Sequence, residues 1–313
     1  MPPVNRRNPI RAASSESQYS LMEFMREYPN DETCLVALWR KRFSADGLHA
    51  QCPKCQQERE FARYDTTAKK PAWTCMACGK HVHPTAGTIF HKSSTSLHLW
   101  FYAMYLMTST RCGISAKQIE RELGVTYKTA WRMAYLIRNK LMTQDAGPFE
   151  GTTPVEMDET YVGGRRRWDA DGRPSESSHK TPVFGMVQRK GRVFAVPVRS
   201  VKSATLLPHV IERVLPASTI YSDEFRSYDA LGFSPNNYNH QRIPHAERVY
   251  VSGDVHTNTI EGFWSLVKRG LDGVYHSVSR KHLQGYLNEY AWRYNQRFEG
   301  RDRFELLLLR AAL

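Results

Sequence analysis

Asp158 in VEMDETYVGG, Asp223 in TIYSDEFRSYDAL and Glu261 in HTNTIEGFWSLVKRGL are the residues whose types and settings could do chemistry together. Each of the first two ends a short apolar run with strand character. Glu261 lies on a stretch with helical spacing. Carboxylates on two strand ends and one helix can converge on two divalent cations. Such a pair activates an attacking water or 3′-hydroxyl, stabilises the leaving oxygen, and so cuts or joins phosphodiesters. Lys268 stands seven residues beyond Glu261, roughly two turns along one helix face, where its ammonium could hold a phosphate. Asn258, one turn before Glu261, reaches the same face and is the alternative third residue.

Asp158 and Asp223 are each followed by a glutamate, Glu159 and Glu224. The preceding alternation favours the first acid of each pair, with the second on the opposite face if the strand continues. Taken singly, an acid in a basic chain reads as a solvated charge or an ion-pair partner. Trp264 reads more readily as core packing than as a base-stacking group. His240, His245 and His256 precede the third acid and could position a phosphate or move a proton. An ordinary polar or packing role is the commoner reading for any one of them.

The chain carries 44 Lys+Arg against 31 Asp+Glu, a formal charge of +13, which points to a polyanionic partner, most simply nucleic acid. No apolar stretch reaches the length of a membrane span. The N-terminal MPPVNRRNPIRAASSESQYS is polar and lacks a signal-peptide core, so it reads as a short disordered lead-in, and the expected compartment is intracellular, hence cytoplasmic.

Cys52-Pro-Lys-Cys55 and Cys75-Met-Ala-Cys78 are two CxxC pairs separated by nineteen residues. Each pair can turn two thiolates toward one ion, and the two together complete a tetrahedral zinc site with no open position, hence structural. Gly79 follows the second pair, where a left-handed residue is expected. Phe61, Tyr64 and Trp73 lie between the pairs and could pack a small sheet. Downstream, GISAKQIERELGVTYKTAWRMAYLIRNKL fits a helix-turn-helix. Ser115 and Thr126 are its caps, Gly124 its turn, and Ile119, Leu123, Ala130, Met133 and Ile137 its buried side. Tyr127, Lys128, Thr129 and Arg132 then fall near the exposed start of the second helix, where recognition helices meet DNA.

These modules divide the chain. Residues 1–48 hold a lead-in and helices, 49–92 a zinc ribbon, and 93–145 the helix-turn-helix domain, including a buried helix over 96–110. A Gly/Pro-rich linker between Asp145 and Pro154 leads into 146–313. There VEMDETYVGG, TPVFGMVQRK and RVFAVPVRS alternate as strands. A polar loop bearing Arg165–Arg167 separates the first two. Ala204–Val214 reads as a helix, Ser218–Tyr221 as a strand, and 258–270 and 279–297 as helices. The expected fold class is an α/β domain, a mixed sheet flanked by helices, preceded by the ribbon and the helical module.

The CPKC…CMAC ribbon, the helix-turn-helix, MDETYVGG, SDEFRSYDAL and HTNTIEGFWSLVKRGLDGVYHSVSRKHLQGYLNEYAWRYNQR together resemble the bacterial insertion-sequence transposases of the ISXO-like type, relatives of the Merlin transposons. The resemblance covers nearly the whole chain. It implies an RNase H-like domain with a DDE active site, in which Asp158 and Asp223 match the first two acids and Glu261 the third. Some members are described with Asn there, which keeps Asn258 as the challenger. It further implies Mg²⁺ or Mn²⁺, two ions, at the acids, double-stranded DNA as partner, recognition of terminal inverted repeats, and a dimer or larger homo-oligomer on DNA. No small-molecule substrate and no membrane partner are expected. The alternatives are a catalytically silent DNA-binding regulator derived from such an enzyme, and a nuclease of the same fold that cuts without joining.

Overall fold

A computed structural model describes residues 19–65, 71–144, 147–149, 153–163, 171, 180–233, 236–243, 255–297 and 302–313. The lead-in 1–18, Arg165–Arg167 and His245 lie outside these residues. The chain forms two compact units, the first from Met1–Leu141 together with Phe298–Leu313, the second from Met142–Arg297.

The first unit opens with α1 (Leu21–Glu27) and α2 (Asp31–Arg42), each started by a capping box, Ser20 with Glu23 and Asn30 with Thr33. A four-stranded antiparallel ribbon follows, β1 (His49–Gln51), β2 (Glu58–Tyr64), β3 (Ala72–Cys75) and β4 (His81–Val82), in the order β1-β2-β3-β4. Trp73 stacks on Trp39 of α2 at 4.8 Å between ring centroids and 9° between planes, which fastens the ribbon to the helices. The expected buried helix is α3 (Leu97–Ser109). Next come α4 (Ala116–Leu123) and α5 (Tyr127–Leu136), whose chain continues into a π-turn over Ile137–Leu141. Ser115 accepts from Gln118 N–H and Thr126 from Thr129 N–H. Gly124 sits between the helices at φ 62°, a conformation that a side chain resists. Ile119, Leu123, Ala130, Met133 and Ile137 are all buried, so the helix-turn-helix spacing read from the sequence is the one the chain adopts.

The first unit is closed by α9 (Asp302–Ala312), at the far end of the chain. Its Phe304, Leu307, Leu308 and Ala311 are buried. Phe304 meets Tyr19, Phe24, Tyr28 and Phe101, and Glu305 binds Lys41 Nζ at 2.5 Å. This corrects the expectation of a single domain over 146–313. The RDRFELLLLRAAL tail is amphipathic, and its apolar stripe covers the aromatic face of α1 and α3.

The second unit is built on a five-stranded sheet of β5 (Val155–Val162), β6 (Thr181–Gln188), β7 (Val193–Pro197), β8 (Thr219–Ser222) and β9 (Asn239–Arg242), ordered β7-β6-β5-β8-β9. β5, β6 and β7 form an antiparallel meander, while β8 runs parallel to β5 and β9 parallel to β8. Helices cover both faces. On one, α6 (Ser203–Arg213) packs Leu206 and Val210 onto Val155, Met157, Phe184 and Met186. On the other, α7 (Asn258–Gly270) and α8 (Leu283–Asn295) pack Ile260, Phe263, Trp264, Val267 and Leu287 onto Val183, Val187 and Ala195. Strands enclosed on both faces lose the simple apolar-polar alternation. β9 was not foreseen, because NHQR has no apolar residue to mark a strand.

Candidate active site and cysteine cluster

Because β5 places successive side chains on opposite faces, Glu156, Asp158 and Thr160 look toward α7 and Met157 and Glu159 toward α6. The hydrogen bonds bear this out. Glu159 Oε2 accepts from Tyr228 Oη at 2.7 Å, on the 3₁₀ turn Arg226–Phe233 beyond β8. Asp158 pairs across β5–β6 with Gly185, the glycine on which Trp264 of α7 lies. The parallel register sets Glu156 opposite Tyr221, and Asp223, just past β8, lies near enough for its charge to act on the Asp158 carboxyl. Asp223 Oδ1 accepts from Phe225 N–H at 3.1 Å and so turns the chain as it leaves the sheet.

Asp158 and Glu261 open on one cleft of about 770 Å³, lined also by Glu159, Thr160, Trp264, Ser265, Lys268, Arg269 and Asp272. Lys268 is exposed on the cleft wall two turns from Glu261, as its spacing requires. Asn258 is exposed and does not line the cleft. Burial, then the charges of Glu159, Asp223 and Glu261, hold the Asp158 carboxyl up at about 7, against an ordinary 3.8. Burial also raises Glu159, against which the Tyr228 hydroxyl works. The acids from β5, the end of β8 and α7 are therefore near enough to repel one another. Such a collection suits hard divalent cations, which take oxygen ligands. Among the described residues, only the four cysteines have ligand atoms gathered into one tight group. The acids stand further apart than that.

Sequence reasoning missed Glu156, whose carboxylate is fully buried. It accepts from Arg189 Nε at 2.6 Å, Thr259 N–H at 2.8 Å, Thr259 Oγ1 at 2.8 Å and Ile260 N–H at 3.1 Å. Arg189 in turn donates to the His256 carbonyl at 3.0 Å and lies over the Tyr221 ring. The signal was present in VEMDE, an acid inside an apolar run, but its partners come from residues more than thirty positions away. Trp264 is buried against Gly185, the packing role expected of it. His240 bonds Ser222 Oγ at 2.8 Å, and burial lowers its pKa to about 4, which keeps the ring neutral.

The cysteine pairs fold as two matching turns. Gln56 N–H returns to the Cys52 carbonyl and Gly79 N–H to that of Cys75, each at 2.9 Å. The residue after each pair is left-handed, Gln56 at φ 55° and Gly79 at φ 70°. The four Sγ atoms lie within 4.8 Å of one another, an arrangement compatible with one tetrahedral zinc ion. On α5, Tyr127, Lys128 and Arg132 are exposed and Thr129 is half-buried, its hydroxyl against that of Thr126 at 3.0 Å.

The family model for the ISXO2-like transposase domain matches residues 149–295. A protein in the transposable element ISH50 of Halobacterium salinarum is 31% identical over 255 residues, covering 77% of this chain and 84% of that protein. The chain belongs to the ISXO2-like insertion-sequence transposases. A transposase-like protein of Haemophilus influenzae is 40% identical over 106 residues, 34% of this chain and 83% of that one. Among solved structures, the pre-cleavage Mos1 transpososome overlaps 68% of this chain and 78% of its own at 11% identity and a TM-score of 0.28, a likeness too loose to carry argument. The family match to 149–295 spans all of β5 to α8, so the transposase's cleft lies wholly within the matched residues. Among the described residues no helix is long and apolar enough to cross a membrane.

Proposed function

We propose that this transposase binds the terminal inverted repeats of its insertion sequence, cuts the DNA there and joins the freed 3′ ends to target DNA. The observation that carries the reading is the cleft in which Asp158 of β5 and Glu261 of α7 meet, with Lys268 on the same wall. The β7-β6-β5-β8-β9 order supports the RNase H-like fold that the resemblance implies. Asp158, Asp223 and Glu261 would hold two Mg²⁺ or Mn²⁺ ions. Such ions supply, when bound, an activated attacking oxygen and charge for the leaving one. Glu261 is preferred to Asn258 because it lines the cleft and its charge, like that of Asp223, which lies outside the lining, acts on the Asp158 carboxyl.

The protein's own part is positioning. In this reading β5 and the end of β8 carry the first two carboxylates, and α7 carries the third. Lys268 and Arg269 offer cations to the phosphates flanking the scissile bond. Cys52, Cys55, Cys75 and Cys78 would hold a structural zinc that stiffens the ribbon. Tyr127, Lys128, Thr129 and Arg132 would meet DNA at the start of α5, and a homo-oligomer would bring two ends together.

The test is nicking of a duplex that carries an element end, with Mg²⁺ or Mn²⁺. Asp158→Asn, Asp223→Asn and Glu261→Gln abolish nicking and keep end binding, while Asn258→Ala retains nicking. Intact binding with no nicking by the wild type under either metal refutes the enzyme reading.

A further inference from the structure

We propose that Glu156 is a positioning residue that sets the separation of Asp158 and Glu261, by making the strand that carries the first cap the helix that carries the second. The inference rests on reading those two acids as metal ligands.

Four features converge on it. First, Glu156 is fully buried, two residues before Asp158 on the same face of β5. Second, α7 receives no side-chain cap from Thr257, the residue before its first turn. The amide groups of a first turn lack intrahelical partners and need acceptors. Glu156 Oε2 takes the N–H of Thr259 and of Ile260 at 2.8 and 3.1 Å, doing across the core what a local cap does within the chain. Third, Oε1 takes Thr259 Oγ1 at 2.8 Å and Arg189 Nε at 2.6 Å, with His256 Nδ1 at 3.3 Å, so each oxygen receives two donors. A carboxylate can accept all of these bonds, whereas a carboxamide must turn an NH₂ toward donors. Fourth, Glu261 is the residue after Ile260, and one of its oxygens accepts from the buried Thr257 hydroxyl at 2.9 Å. The path from Asp158 to Glu261 is therefore short and rigid: two residues of β5, one carboxylate, and one turn of helix. Arg189 closes the arrangement by holding the His256 carbonyl, which ties down the chain leading into α7.

A residue acting this way changes the acidic cleft without touching DNA or metal. The experiment compares full-length wild type with Glu156→Gln and Thr259→Val. The second variant keeps the branched shape and both backbone donors and loses only the hydroxyl. Three quantities are read: Mn²⁺ binding by electron paramagnetic resonance of the free ion, the Mg²⁺ concentration for half-maximal nicking, and hydrogen exchange of the peptide covering Thr257–Trp264. For Glu156→Gln we expect about tenfold weaker Mn²⁺ binding, an Mg²⁺ requirement raised to match, and faster exchange confined to the start of α7. End binding stays unchanged. Thr259→Val moves all three in the same direction by a smaller factor.

Unchanged Mn²⁺ affinity and Mg²⁺ requirement in a folded Glu156→Gln overturn the proposal and leave the active-site reading standing. If Glu156→Gln does not fold, Thr259→Val decides: metal affinity and exchange identical to wild type overturn it. A wild type that binds no Mn²⁺ at the acids and nicks under no metal refutes the active-site reading itself, and the proposal with it.

Discussion

Adding one methyl group at Gly185 should separate the two acids that face the cleft. Gly185 pairs with Asp158 across β5–β6, and its backbone is not left-handed, so alanine meets no conformational objection there. The obstacle is space. An alanine Cβ would lie 2.4 and 2.6 Å from Cζ2 and Cη2 of Trp264 and 3.2 Å from Cδ1 of Ile260. Carbon atoms settle at about 3.5–4.0 Å, so α7 has to withdraw by roughly an ångström or Trp264 has to leave its rotamer. Trp264 is three residues from Glu261, so withdrawal carries the carboxylate away from Asp158. Overpacking of this kind costs about 1–3 kcal/mol. At roughly 2–4 °C per kcal/mol for a protein of this size, Tm falls by several degrees. A displacement near 1 Å at reacting groups costs on the order of 10²-fold in rate. The assay is nicking of an end-containing duplex together with thermal melting. Trp264→Leu on the same background restores room, so the double variant should be less impaired than the two single effects combined. Gly185→Ala with wild-type Tm and wild-type nicking would refute the packing account of how α7 is placed.

Asp158 makes a pH-dependent prediction. Its folded pKa, about 7, stands above the ordinary 3.8, so the native state holds the proton more tightly and stability falls as pH rises from about 4 to about 7. Asp158→Asn removes that cost, at most roughly 4 kcal/mol. In EDTA the variant should melt above wild type at pH 8, with the gap closing toward pH 4; an equal gap at both pH values contradicts the burial and repulsion argument. Cys52→Ser should lose bound zinc and local ribbon structure, since structural zinc contributes folding free energy; unchanged zinc content by atomic absorption argues against the four-cysteine site. Ending the chain before Asp302 strips Phe304, Leu307 and Leu308 from the first unit, at about 1.5–3 kcal/mol for each buried side chain. That loss is comparable to a domain's whole stability. The truncated chain should lose end binding and the melting transition of the first unit, and retention of both would show that α9 is dispensable.

Much of the candidate site was legible because its parts are local. Two CxxC pairs announce their own turns. Ser115, Gly124 and Thr126 mark helix boundaries within a few residues of where they act. Strand alternation favours Asp158 over Glu159, and Glu159 is engaged by the Tyr228 hydroxyl. Glu261 and Lys268 share a face because a helix has a fixed pitch.

What depends on distant contacts was not legible. An acid in an apolar run does not say what it binds, and Glu156 took on meaning only when folding delivered Arg189 and the first turn of α7 to it. Gly185 reads as an ordinary strand glycine until Trp264 is seen against its Cα hydrogens. The tail at 302–313 carries a helical pattern, yet nothing local tells an amphipathic helix which core will cover it; the aromatic face of α1 and α3 decided that. The sequence by itself determined the kinds of element, their ends and the chemical groups they carry, because propensity, capping and pitch act over a few residues. The tertiary structure alone decided which groups meet, because strand register and helix docking are set by burial summed over the whole core.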